Sequence, residues 1–153
     1  MTRSNNAGFS LMELMIVVAI VAILASIAYP AYTSSILKGK RAEGRAAIAE
    51  LIQQQERYLT QRDTYLQFTT NASGVTSPAG VPFKVFSGSN LAGSAYLLWT
   101  DRCPAVGTAT LALSECVRVI ATPVNPDPLA GDLRMTTTGF KDCNGTNASL
   151  CWK

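Results

Sequence analysis

The N-terminal segment constrains this chain more than any other part of it. From residue 14 to residue 29 only Ser26 interrupts an apolar run, and Glu13 lies immediately before that run. A carboxylate at the edge of hydrocarbon is costly, by roughly a few kcal/mol, unless a positive group compensates it. The sequence therefore predicts an apolar helix whose Glu13 meets a positive charge.

This apolar run is long enough to cross a membrane. Residues 9–32 would extend about 36 Å as a helix, whereas a hydrocarbon core is roughly 30 Å thick. A plain membrane anchor and a secretory signal peptide are the competing interpretations; the second is disfavoured because Arg3 is the only basic residue upstream. Pro30 lacks a backbone donor and is predicted to kink or loosen the helix.

The segment GFSLMELMIVVAIVAILASIAYPAY, residues 8–32, resembles the N-terminus of type IV prepilins. The resemblance implies that prepilin peptidase cuts between Gly8 and Phe9 and that the new Phe9 amine is methylated. It also implies that Glu13 pairs with the N-terminal amine of a neighbouring subunit, and that Pro30 marks where the helix melts in the fibre. A buried carboxylate and a buried ammonium are each tolerated only when they are paired, so this pairing would set the axial register of subunits.

Charge and family resemblance disagree about orientation in the membrane. Basic residues follow the apolar run at Lys38, Lys40, Arg41 and Arg45. By the positive-inside rule they would place the C-terminus in the cytoplasm. The resemblance implies the reverse: a single-pass inner-membrane protein with a periplasmic head before assembly, and a cell-surface pilus afterwards. We follow the resemblance, because every cysteine lies in the part that it places outside the cytoplasm.

The chain has four cysteines, and all follow residue 100: Cys103, Cys116, Cys143 and Cys151. An even number in a small extracytoplasmic segment indicates two disulfides in an oxidising compartment. A metal site is the alternative, and it is disfavoured because the chain has no histidine and no C-x2-C pair. Four cysteines permit three pairings, which the sequence does not distinguish. We expect the local one, in which the first cysteine bonds the second and the third bonds the fourth.

The predicted fold class is α+β, with a long N-terminal helix packed against a C-terminal antiparallel β-sheet head. We divide the chain into a cleaved leader, a transmembrane or fibre-core helix, an amphipathic helix and a disulfide-stapled head. These parts are residues 1–8, 9–32, 33–62 and 63–153. Clusters of β-branched and aromatic residues predict strands, which are placed at 81–87, 95–100, 116–122 and 132–138, with a short one at 109–113.

The amphipathic helix is predicted to cover one face of the sheet. Its apolar residues recur at helical spacing and are Ile48, Leu51, Ile52 and Leu59. Charged residues, Arg41 among them, are assigned to the other faces.

A second resemblance concerns the rest of the chain. Residues 41–66 and the ending from 132 to 153 are similar to beta-proteobacterial pilins, a group that includes a competence minor pilin that binds DNA uptake sequences. Related pilins often carry a cysteine where this chain has residues 127–131, so the chain departs from them there.

DNA binding normally requires a local excess of basic charge. After residue 62 basic and acidic residues are balanced. Clustering on one face would still make a basic patch for DNA; the candidates are Arg102, Arg118, Arg134 and Lys141. Scattered solvated charges are the alternative interpretation.

The sequence shows no catalytic constellation. Without histidine, a Ser-His or Cys-His pair is impossible, and no Gly-rich phosphate loop occurs. We expect no enzyme activity, cofactor or metal. The prediction is a structural subunit, major or minor, of a type IV pilus that supports adhesion, twitching motility or DNA uptake. Its partners would be other pilin subunits, prepilin peptidase, the inner membrane and, for some pilins, DNA. A DNA-uptake receptor and a type II secretion pseudopilin are the alternatives.

Overall fold

A computed structural model describes residues 9–105 and 109–153 of the chain. The predicted leader and Gly8 therefore lie outside the described residues. One long helix, α1 (Leu11–Arg62), begins the described chain. The chain divides into two compact units, one through Lys38 and one comprising Gly39–Lys153. The second is called the head unit below, and it contains the C-terminal part of α1 together with all the strands.

One face of α1 is buried in the head unit. The buried residues recur at three- and four-residue intervals and are Arg41, Gly44, Ala47, Ile48, Leu51 and Gln55. Ile48 and Leu51 belong to the core, as predicted, whereas Ile52 is only partly buried and Leu59 is half-buried outside the core cluster. Gly44 permits a close approach of the sheet, because a Cβ at this position would lie 2.8 Å from the ring of Tyr96.

Two antiparallel sheets complete the head unit. A short hairpin pairs β1 (Thr69–Thr70) with β2 (Thr76–Ser77). The main sheet contains β3 (Tyr96–Arg102), β4 (Val117–Pro123), β5 (Leu133–Thr136) and β6 (Lys141–Cys143), in that order. Side chains from its inner face, including Leu98, Val119 and Leu133, form one core with the buried residues of α1. The predicted α+β class is confirmed.

The strand predicted at residues 81–87 does not form. The segment makes one isolated bridge, Phe86 with Leu97, and two flanking backbone hydrogen bonds, in which Leu98 donates to Val85 and Ser87 to Tyr96. Pro82 has no N–H to contribute to a ladder, so pairing does not extend towards the start of the segment.

The short strand predicted at residues 109–113 is likewise reduced to a single bridge, between Pro104 and Thr110. Conversely, β1, β2 and β6 were not predicted. Each has only two or three residues, which is too short to display the alternation that identifies a strand.

A buried ion pair joins α1 to the loop that follows β4. Arg41 Nε donates to Asp127 Oδ2 at 2.7 Å, and Arg41 Nη2 donates to Oδ1 at 3.0 Å. The two side chains are 6% and 5% exposed. The hydrogen bond from Arg41 holds the pKa of Asp127 below its usual value and raises the pKa of Arg41. The prediction that Arg41 faces away from the sheet is therefore wrong: its burial is compensated by a carboxylate 86 residues away.

Two disulfides close short loops in the head unit. Cys103 is bonded to Cys116 across a separation of 13 residues, and Cys143 to Cys151 across 8. This is the local pairing that the sequence analysis expected. Three of these cysteines are buried at 2% exposure or less, so the disulfides form part of the interior.

The loop closed by the second disulfide packs tightly on the loop that contains Asp127. Gly145 N–H donates to Ala130 O at 3.0 Å. A Cβ on Gly145 would overlap the backbone of Leu129 and Ala130. This contact requires glycine because two backbones meet there.

Candidate functional site

The N-terminal unit presents an uncovered apolar surface. Every residue from 9 to 32 is exposed, with Phe9 79% and Met15 64% exposed. An 18-residue window of α1 has a mean hydropathy of 2.7, so the helix is long and apolar enough to cross a membrane by length and composition. Such a surface is unfavourable in water, and lipid or other helices must cover it.

Ser10 caps the start of α1. The Glu13 backbone N–H donates to Ser10 Oγ at 3.2 Å, and the Leu14 N–H donates to Ser10 O at 3.2 Å. A serine followed three residues later by glutamate is the capping-box pattern, and the helix dipole favours an acid in the first turn. This local role of Glu13 was not predicted from the sequence, although the S-x-x-E spacing signals it.

The Glu13 side chain is exposed. Among the described residues it takes part in no ion pair. The residues around it on α1 are apolar, so a compensating charge has to come from outside the described part of this chain.

The helix continues through Pro30. Since proline has no N–H, the carbonyl of Ser26 loses its usual helical donor. Nearby hydroxyls bond backbone carbonyls one turn back: Ser26 Oγ donates to Ile23 O at 2.7 Å, and Thr33 Oγ1 donates to Pro30 O at 3.0 Å. Such bonds weaken and bend helices, and they concentrate around the proline that the sequence analysis identified as a weak point.

Two of the four predicted DNA contacts lie on the outer face of the main sheet and are paired with carboxylates. Arg118 Nη2 lies 3.0 Å from Asp101 Oδ2. Arg134 lies between two acids, 3.9 Å from Asp132 and 3.7 Å from Asp142. The outer face is therefore close to charge balance around these arginines.

The other two predicted DNA contacts lie on the opposite face of the sheet. Arg102 pairs in register with Val117, the neighbour of Arg118, and Lys141 pairs with Met135, the neighbour of Arg134. Since adjacent residues of a strand point to opposite faces, the four residues do not cluster on one face. Lys141 Nζ lies 5.3 Å from the centroid of the Trp152 ring.

Comparison with known protein families identifies the N-terminal segment. Residues 3–29 match the prokaryotic N-terminal methylation motif. Residues 30–98 match the family described as type IV minor pilin ComP, DNA uptake sequence receptor. Together the two matches support a type IV pilin. No curated protein sequence matches it significantly.

The two matches cover consecutive parts of the pilin. The methylation motif covers Glu13 and ends just before Pro30, where the receptor-family match begins. That second match ends at residue 98. It therefore leaves out all four cysteines and all four predicted DNA contacts.

The leader motif indicates how the pilin is processed and assembled. A pilin with this leader motif is processed by prepilin peptidase and assembles with other pilins into a pilus. Its apolar helix fits anchoring in a membrane before assembly.

Proposed function

We propose that this pilin is a minor subunit of a DNA-uptake pilus, inserted in the inner membrane with its head in the periplasm. The match of residues 30–98 to a DNA uptake receptor family is the observation that carries the proposal. The two disulfides support the periplasmic location, because such bonds persist in oxidising compartments. The same match favours a pilus over a secretion pseudopilin. Cleavage between Gly8 and Phe9, with methylation of Phe9, belongs to this proposal.

Assembly is proposed to run through residues 9–32. Their exposed apolar side chains bury against the helices of neighbouring subunits in the fibre core. The Glu13 carboxylate then pairs with the methylated amine of a neighbour. Leaving either charge unpaired in that core is strongly unfavourable, so the correct axial step is selected.

A charge-only substitution tests the pairing. Glu13→Gln keeps the size of the side chain and should insert normally, but it should fail to enter pili. The measurement is the pilin content of sheared pili against that of membranes. Ser10→Ala is the matched control, because it removes the helix cap and keeps the charge. Wild-type incorporation of Glu13→Gln, or equal loss in both variants, would contradict pairing.

The head is proposed to bind duplex DNA. Arg118 and Arg134 are not assigned to this contact, because each is already paired with a carboxylate. Binding that neutralises phosphates releases counterions, so the affinity should fall linearly on a logarithmic salt scale.

The test is titration of the full-length pilin, in detergent, with fluorescent duplex DNA at several salt concentrations. A complex whose affinity weakens steeply with salt supports receptor function. Absence of any complex at low ionic strength would remove DNA binding and leave the structural role alone.

A further inference from the structure

A groove with basic and aromatic walls lies between the end of α1 and the segment after β2. It consists of two depressions with volumes of about 210 and 390 Å³, which share Tyr58 and Pro82. The first is lined by Gln54, Arg57, Tyr58, Gln61, Pro82 and Phe83. The second adds Arg62, Leu66 and residues 78–81. We call it the α1-end groove.

The charges of this groove are not compensated. Arg57 and Arg62 are exposed, and neither takes part in an ion pair within the part of the chain that the structure describes. No carboxylate lines either depression. Arg41, Arg118 and Arg134, by contrast, each face an acid. The groove therefore holds two guanidinium groups available to an anion from outside.

Its aromatic wall is held in place by the core. Tyr58 and Phe83 pack edge to face with ring centroids 5.7 Å apart, and Phe83 packs on Phe68 at 6.1 Å. Phe68 is only 1% exposed, so it fixes the wall. The wall is an apolar surface beside the two cations, and most protein contacts to duplex DNA go to the phosphates and sugars of the backbone.

The groove also contains a buried hydrogen-bond acceptor that has no donor among the described residues. Gln54 Oε1 is buried and has no hydrogen-bond partner among the described residues, while its amide nitrogen donates to Glu50 Oε1 at 3.4 Å. A buried acceptor without a donor costs free energy that a ligand donor or a water would recover.

We infer that the α1-end groove is the DNA contact of the head, with Arg57 and Arg62 each binding a backbone phosphate. This rests on the proposed function. All of the groove, from residue 54 to residue 83, lies inside the segment that matches the receptor family, whereas the four basic residues predicted from sequence lie beyond it. Guanidinium groups suit phosphates because they offer paired donors in a fixed plane.

The test compares two charge-matched double variants of the full-length pilin in detergent, titrated with fluorescent duplex DNA at several salt concentrations. Arg57→Gln with Arg62→Gln should weaken binding and lower the slope of log affinity against log salt by about 1.8, or 0.9 per lost phosphate contact. Arg118→Gln with Arg134→Gln removes the same charge from the outer sheet face and should leave the slope unchanged.

A gain-of-function variant avoids the ambiguity of misfolding. Gln61→Lys adds a cation to the groove at an exposed position and should tighten binding and steepen the salt slope by about 0.9.

The outcomes separate this inference from the proposed function. Equal losses of DNA affinity in the two double variants would mean that binding depends only on the net charge of the pilin, and the groove assignment would fail. Unchanged DNA binding in the Arg57/Arg62 variant, with lost incorporation into pili, would make the groove a contact between subunits and would also overturn it. If the unmutated pilin binds no DNA even at low salt, the proposed function itself fails.

Discussion

The ion pair between Arg41 and Asp127 offers the sharpest quantitative prediction. Asp127→Asn keeps a side-chain oxygen for the Leu129 and Ala130 N–H groups, which approach Oδ1 at 3.3 Å. It removes the charge that compensates Arg41, whose side chain is 6% exposed. Breaking one partner of a buried pair costs about 3–5 kcal/mol. With a urea slope of about 2 kcal/mol per molar, the unfolding midpoint should fall by about 2 M.

The assay is urea unfolding of the full-length pilin in detergent, followed by tryptophan fluorescence. Both tryptophans, Trp99 and Trp152, lie in the head unit, so the signal reports on the head. Asp101→Asn is the matched control: it breaks the ion pair to Arg118, in which the Asp101 side chain is 38% exposed, and should cost less than about 1 kcal/mol.

A second substitution decides whether the cost comes from an unpaired charge. Adding Arg41→Met to Asp127→Asn removes the buried cation and should recover much of the lost stability. An unpaired buried charge is not the cause if Asp127→Asn costs no more stability than Asp101→Asn, or if Arg41→Met makes the double variant less stable than Asp127→Asn alone.

Three further predictions use the same unfolding assay. The pKa of Asp127 is lowered in the folded head, so the stability that its carboxylate contributes is present above the unfolded pKa of about 3.9 and is lost as pH falls through the folded value. The difference in stability between wild type and Asp127→Asn should therefore shrink below about pH 4. A difference that widens there would contradict the pairing. Gly145→Ala should cost about 1–3 kcal/mol by overlap with the loop at residues 129–130, whereas Gly39→Ala, where an added Cβ meets nothing within 4 Å, should cost nothing. Replacing Cys143 and Cys151 by serine should cost about 2.5 kcal/mol, as expected for a loop of 8 residues; an unchanged midpoint would show that this loop is already ordered when reduced.

The parts of the fold that were predictable have local causes. The apolar run and its flanking Glu13 are contiguous in sequence, and the strands at β3, β4 and β5 have enough β-branched and aromatic residues to be recognised. The segment at residues 81–87 has the same composition, yet Pro82 prevents a ladder from extending. In that segment one missing donor outweighs β propensity.

The parts that were missed depend on distant partners. Nothing near Arg41 indicates that Asp127 compensates its burial, because the two are 86 residues apart. The DNA-contact candidates were chosen by charge alone, and only the strand register shows that Arg118 and Arg102 point to opposite faces. The α1-end groove likewise depends on the chain returning to the helix end at Phe83, which no periodicity indicates.

The mass and N-terminal sequence of the pilin purified from cells show whether it assembles through a processed N-terminal helix. We expect a chain that begins at Phe9, carries one methyl group on its amine, and is found in pili. A chain that still begins at Met1, or one cut after Ala28 as by a signal peptidase, would lack either the free Phe9 amine or Glu13 itself. Either result would contradict assembly through the N-terminal helix.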